Sequence, residues 1–198
     1  MGEDDGYTHI DHGFDPVFDE RSTTLVLGSF PSVLSRANSF YYGNPQNRFW
    51  RVVAACLDVE VPLNEGALLS DACGRRLGAE PGAPTSLEQS IDAKRAMLLD
   101  GGIALWDVVA SCDIKGSSDA SIRGVEPVDI ARVLTVSPID RVICNGGCAG
   151  KLYKRYLRDV AGIDAQVLPS TSPANAAWRL DRLIERWSEE IHPVRRVC

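Results

Sequence analysis

Four short apolar runs set the architecture of this chain: TTLVLGS (23–29), GIALWDVV (102–109), RVICNG (141–146) and AQVLPS (165–170). Each leads into Gly, Pro, Ser or Asn, residues that turn a strand into a loop. The runs are apolar on both faces, as strands of a parallel sheet are when helices cover it. The segments between them have helical period. NRFWRVVAACL (47–57) places Phe49, Val52, Val53 and Cys56 on one side. SLEQSIDAKRAMLLDGG (86–102) opens on a Ser cap and closes on glycines, and the segments 147–162 and 173–191 are also helical. Alternating strands and helices predict an α/β domain with a parallel sheet between helical layers. Residues 60–85, broken by Gly and Pro, have no assignable pattern.

The 198 residues suit a single domain with a substantial core, residues 1–12 forming a flexible acidic tail. No apolar run reaches the ~18 residues that span a membrane, and the polar start is the opposite of a signal peptide, so a cytoplasmic protein is expected. The six cysteines (56, 73, 112, 144, 148 and 198) have no metal-ligand spacing and read as reduced, mostly buried thiols. No metal and no cofactor is expected. The net charge of -6 argues mildly against a nucleic-acid partner. Lys151–Arg158 and the C-terminal HPVRRVC are nevertheless locally basic.

Ligands of parallel α/β folds bind where strands end. That rule gathers 28–47, 107–122, 145–150 and 169–175 on one rim. In LPSTSPAN, Ser170, Thr171 and Ser172 precede Pro173, which suits the first position of a helix. Ser172 is then an N-cap, and the three hydroxyls could instead face an anion such as phosphate. LGSFPS repeats the design with Ser29 and Ser32. It is neither a P-loop nor a dinucleotide fingerprint. The aromatics Phe40, Tyr41 and Tyr42 could plug a long loop or offer a stacking surface for a base. Asn44 and Asn47 could form Asx turns, and Asn47 could also cap the following helix. Asp107, Asp113 and Asp119 read as solvated loop carboxylates, with Asp119 a candidate to read a base edge. Asn145 is a second candidate reader, or a turn residue before Gly146.

The segments GSFPS…SFYYGNPQNRFW, LWDVVASCDIKGSSDASI, NGG and LPSTSPAN together resemble the uracil-DNA glycosylase superfamily, over about residues 9–190. The hypoxanthine-DNA glycosylase branch is the most similar, and N-P-x-N-R-F-W is also similar to the mismatch-specific uracil glycosylases. The resemblance implies a three-layer α/β/α sandwich with a central four-stranded parallel sheet. It implies an enzyme that hydrolyses the N-glycosidic bond of a deaminated base in DNA, hypoxanthine first. Uracil or thymine in mismatches is the alternative substrate, and an inactive nucleic-acid-binding module the alternative class. By the resemblance, Asn47 is the catalytic asparagine and would orient water. Tyr42 stacks on the flipped base, with Phe30 beside it. The LPSTSPAN loop inserts into DNA near the flipped nucleotide, with Ser170 and Ser172 touching phosphate or base, and Ser32 and Thr171 are further DNA-binding candidates. Phe30 stands where many members carry Asp or Asn, a change the hypoxanthine branch shares. Backbone N–H groups near Ser29 and Phe30 could stabilise the departing base.

Lys115 is the only lysine in these loops, so a Schiff-base lyase step is not expected and a monofunctional glycosylase is. A serine hydrolase is disfavoured by the lack of a G-x-S-x-G elbow. DNA with a deaminated base is the expected partner, and a monomer the expected state.

Overall fold

A computed structural model describes residues 6–61 and 87–192. Four parallel strands, β2 (Thr24–Gly28), β3 (Ile103–Asp107), β6 (Arg141–Asn145) and β7 (Ala165–Leu168), form the main sheet in the order β3-β2-β6-β7. These are the four apolar runs of the sequence. The register aligns Leu25 with Ala104 on one side and with Val142 on the other. Leu25, Val26 and Leu27 are fully buried, so both faces of the sheet are covered. Helix α3 (Leu87–Asp100) packs on β3, and α5 (Gly147–Tyr156) packs on β6 and β7. Helices α2 (Phe49–Leu57) and α7 (Leu180–Ser188) pack on each other. Phe49, Val52, Val53 and Cys56 of α2 all point into the core, as their spacing requires. The Ser86 cap expected for α3 lies outside the described residues.

Three expectations are corrected. Residues 8–12 are no tail. Thr8–Asp11 is strand β1, antiparallel to β4 (Val109–Ile114), and His12 is buried. The apolar Ile10 and the ring of His12 fall on alternate positions of an extended chain, a pattern too short to stand out from its acidic surroundings. The loop expected over 107–122 is partly this same β4, which also pairs with β5 (Arg123–Pro127) in a three-stranded antiparallel sheet. Its Asp113 is no free loop carboxylate: it meets His9 at 3.0 Å. Finally, the helix expected from Pro173 begins only at Leu180. Residues 172–179 form turns instead, with the carbonyls of Ser172, Asn175 and Trp178 held by one side chain. Arg48 donates from Nε to Thr171 O (3.2 Å) and from Nη2 to Asn175 O (3.2 Å), and its guanidinium also binds Ser172 O and Trp178 O. No helix N-terminus therefore exists at Ser172 to attract an anion.

Three short α-helices, α1 (Val33–Ala37), α4 (Ala131–Leu134) and α6 (Arg158–Ala161), and a 3₁₀ turn at Asp119–Ser121 complete the described elements.

Candidate active site

The strand-end loops enclose a cavity of about 130 Å³ at the C-terminal edge of the parallel sheet. Of the residues singled out from sequence, Ser29, Phe30, Ser32, Tyr42, Asn47, Asp119, Asn145, Ser170 and Ser172 all border it. Thr171 does not. It is fully buried behind the wall, so its side chain is held by protein rather than offered to DNA.

Thr171 is the hub of a hydrogen-bond chain whose directions are fixed by the backbone. Phe49 N–H donates to Asn47 Oδ1 (3.0 Å), and Thr171 N–H donates to Asn145 Oδ1 (2.9 Å). Both amides are thereby oriented. Asn145 Nδ2 then donates to the hydroxyls of Tyr42 (3.0 Å) and Thr171 (2.9 Å). The Thr171 hydroxyl in turn donates to Asn47 Oδ1 (2.9 Å). The oxygen of Asn47 thus has both lone pairs engaged, and only its Nδ2 donor has no partner among the described residues. An amide so held can donate to a ligand but cannot accept a water proton.

The N-R-F-W motif has one task per residue. Asn47 ties to Thr171. Arg48 gathers the 171–178 carbonyls. Phe49 stacks on Tyr42 at 3.9 Å, and Trp50 stacks on Phe40 at 5.7 Å. Phe40 and Tyr41 are the core plug, Tyr41 donating to Asp15 O at 3.0 Å. Tyr42 has a φ of 50°, a left-handed conformation that costs a non-glycine residue about 1 kcal/mol or more. The Phe49 stack and the Asn145 hydrogen bond hold it there. Burial raises its phenol pKa, with the charge of Asp107 adding to the effect and the Asn145 hydrogen bond opposing it.

The serines mainly shape the wall. Ser32 Oγ caps α1 by accepting from Ser35 N–H (3.2 Å), Ser170 Oγ accepts from Ser172 N–H (3.2 Å), and Ser172 Oγ accepts from Ala174 N–H (3.3 Å). Ser29 donates to Asp119 Oδ1 at 2.8 Å. Asp119 is an exposed residue, yet its carboxyl turns into the cleft. Burial there raises its pKa, Ser29 opposes the shift, and Asp107 adds to it.

Two groups escaped the sequence reading. Asp107, expected in solvent, is only 4% exposed and borders the cavity. Its Oδ2 meets Nε2 of the equally buried His12 at 2.9 Å. Its Oδ1 packs so closely over Gly28 that a β-carbon there would sit 2.1 Å away. The signal for Asp107 was present, since an acid closing an apolar strand falls on the binding rim. His12 had none, because its strand was not recognised. Gly146 is required for a related reason: at φ 101° it lets β6 turn beneath Ser170. Among the described residues no group of three or more metal-ligating side chains occurs, and no helix is long and apolar enough to cross a membrane.

A four-stranded parallel sheet in this order, with a polar cavity walled by GSFPS, Asn47, Ser170 and Ser172, matches the architecture that the resemblance to the uracil-DNA glycosylase superfamily implies, and the chain is similar to glycosylases of that superfamily. No family model matches the sequence. It is 34% identical over 174 residues to the hypoxanthine DNA glycosylase of Methanosarcina acetivorans, covering 87% of this chain and 93% of that protein. The namesake of Methanosarcina barkeri is 28% identical, over 82% and 87% of the two chains. The solution NMR structure of a candidate uracil DNA glycosylase from M. acetivorans superposes with a TM-score of 0.66 at 29% identity, over 93% of this chain and 97% of the other. The chain belongs to the hypoxanthine DNA glycosylase family, whose members hydrolyse N-glycosidic bonds in DNA.

Proposed function

We propose that this chain removes hypoxanthine from deoxyinosine in DNA. The observation that carries the reading is the pairing of one acceptor and one donor at the cavity: Asp107 Oδ1 and Asn47 Nδ2, neither with a protein partner among the described residues. A deaminated purine presents the matching edge, a ring N–H and a carbonyl oxygen. Adenine presents a bare ring nitrogen to the carboxylate, which sets a lone pair against Oδ1 and leaves that oxygen without a donor. A site built this way rejects the mismatched base strongly.

The base reaches the cavity by flipping out of the duplex, at a cost of a few kcal/mol that is least for a mispaired base. One face of Tyr42 is taken by Phe49, so the base stacks on the other, with Phe30 beside it. Water then adds through its oxygen to C1′ as the C1′–N bond breaks. The bonding electrons leave with the base, and a proton of the water ends on it. Asn47 Nδ2 supports the departing charge as a donor, a role its engaged oxygen favours over the orienting of water. No step requires a lysine amine, so the enzyme is a monofunctional glycosylase. Uracil shares the N–H and carbonyl edge, and the likeness to a candidate uracil DNA glycosylase makes it the second substrate to test.

The test is base release from duplexes carrying one deoxyinosine, deoxyuridine, deoxyxanthosine or mismatched thymine, with Asn47→Ala alongside. Hypoxanthine release that Asn47→Ala loses, with duplex binding kept, is expected. Release of uracil alone moves the substrate. Binding without any release refutes the enzyme reading.

A further inference from the structure

The Asp107 carboxylate is held from outside the main sheet. Its partner, His12, is delivered by the strand β1, whose residues Thr8–Asp11 pair with β4. The imidazole is 5% exposed and set among aromatic rings, with centroids 4.4 Å from Phe14, 5.9 Å from Tyr41 and 6.3 Å from Phe30. Its Nε2 lies 2.9 Å from Asp107 Oδ2. Its Nδ1 is buried and has no partner among the described residues. A buried N–H without an acceptor is costlier there than a bare lone pair, all the more on a charged ring. The favoured tautomer therefore carries its proton on Nε2 and gives it to Asp107. That bond uses one carboxylate oxygen and leaves the other, Oδ1, as an acceptor beside the cavity.

We propose that His12 is a positioning residue for base recognition. By donating from Nε2 to Asp107 Oδ2 it keeps that carboxylate turned with Oδ1 toward the cavity, as an acceptor for the ring N–H of the bound base. The inference rests on the reading of the cavity as a base site. On this view the small antiparallel sheet serves recognition as well as stability. The packed aromatic rings restrict the imidazole, and the imidazole restricts the carboxylate.

Two variants and one spectrum test it. His12→Phe keeps a ring in the aromatic setting and removes the donor. His12→Gln restores an amide N–H at about the reach of Nε2. A hydrogen bond to a charged group predicts a ~10–100-fold loss of hypoxanthine release in His12→Phe under single-turnover conditions. His12→Gln should recover most of it. His12→Phe leaves the buried carboxylate without its donor, so its Tm falls below that of His12→Gln, and excision is compared well below both. A purely structural His12 would lower Tm and leave excision by the folded protein unchanged. That result, or wild-type excision by His12→Phe, overturns the proposal. If the wild-type protein releases no base at all, the functional reading fails instead. The imidazole ¹⁵N spectrum of the free protein decides the geometry independently. Protonated Nε2 with bare Nδ1 is expected, and the reverse tautomer refutes the role whatever the excision assay reports.

Discussion

Thr171→Val removes a single hydroxyl from the centre of the site and preserves its shape. That hydroxyl makes two hydrogen bonds of 2.9 Å, giving one to Asn47 Oδ1 and taking one from Asn145 Nδ2. Neither partner is stranded by the change. Asn47 Oδ1 keeps the Phe49 N–H, and Asn145 Nδ2 keeps the Tyr42 hydroxyl. The larger penalty for an orphaned buried group therefore does not apply, and two neutral bonds at about 1 kcal/mol each give a loss of about 2 kcal/mol. For a domain of this length that is a fall of roughly 4–8 °C in Tm. The effect on excision has a different origin. Asn47 loses one of two restraints on its amide, and its Nδ2 is no longer aimed. A misdirected hydrogen bond of ordinary strength corresponds to a ~10-fold slower step. Thermal unfolding followed by circular dichroism gives the first number, and single-turnover hypoxanthine release well below Tm gives the second. Thr171→Ser, which keeps the hydroxyl and drops the methyl, should excise at nearly the wild-type rate. Equal excision defects in the two variants would show that the methyl matters and the hydroxyl does not. A Thr171→Val protein with unchanged Tm and unchanged rate would remove the hydrogen-bond chain from the argument altogether.

Two further changes probe the carboxylates. Gly28→Ala places a β-carbon about where Asp107 Oδ1 now packs, so excision should fall sharply; adding Asp107→Ala should recover Tm and leave excision lost, whereas wild-type excision by Gly28→Ala would refute the packing. Asp119 has a raised pKa, so the native state binds a proton more readily than the unfolded chain does; its contribution to stability falls as pH rises from the ordinary carboxylate range through the raised value. Asp119→Asn should remove that loss, with Tm rising relative to wild type at neutral pH and not at pH 3, and the same Tm difference at both pH values would refute the shift.

The main sheet was legible because its strands are continuous apolar runs and its loops are punctuated by Gly, Pro, Ser and Asn. The rim followed from topology, and residues of all four of its loops, from Ser29 and Asn47 to Asp119, Asn145 and Ser170, border one cavity. Thr171 was misread because a hydroxyl in a loop looks the same from sequence whether it faces solvent or a buried amide. The late start of α7 was hidden for a similar reason. Pro173 permits a helix, and only the distant Arg48 shows why the carbonyls of Ser172, Asn175 and Trp178 are already taken. Asp107 stood on the rim by topology, but its pairing with His12 was out of reach, since the two lie 95 residues apart and the strand that carries His12 was not recognised. Local pattern identifies strands and turns, while buried polar pairs of long sequence separation are created by the fold.

The pairing of β1 with β4 also bears on how the protein is made. Thr8 aligns with Ile114, so β1 leaves the ribosome about a hundred residues before its partner exists. At ordinary translation rates of about 5–20 residues per second this is a delay of roughly 5–20 s, during which an edge strand and its histidine stand unpaired. The acidic, polar residues around it suit that interval, because charge discourages a solitary strand from pairing with other chains. Closure comes later still, when Thr171 emerges and meets Asn47, 124 residues behind it. A nascent chain therefore carries no working cavity until most of it has been synthesised, and a truncated product lacking the last loop would not be a partial enzyme.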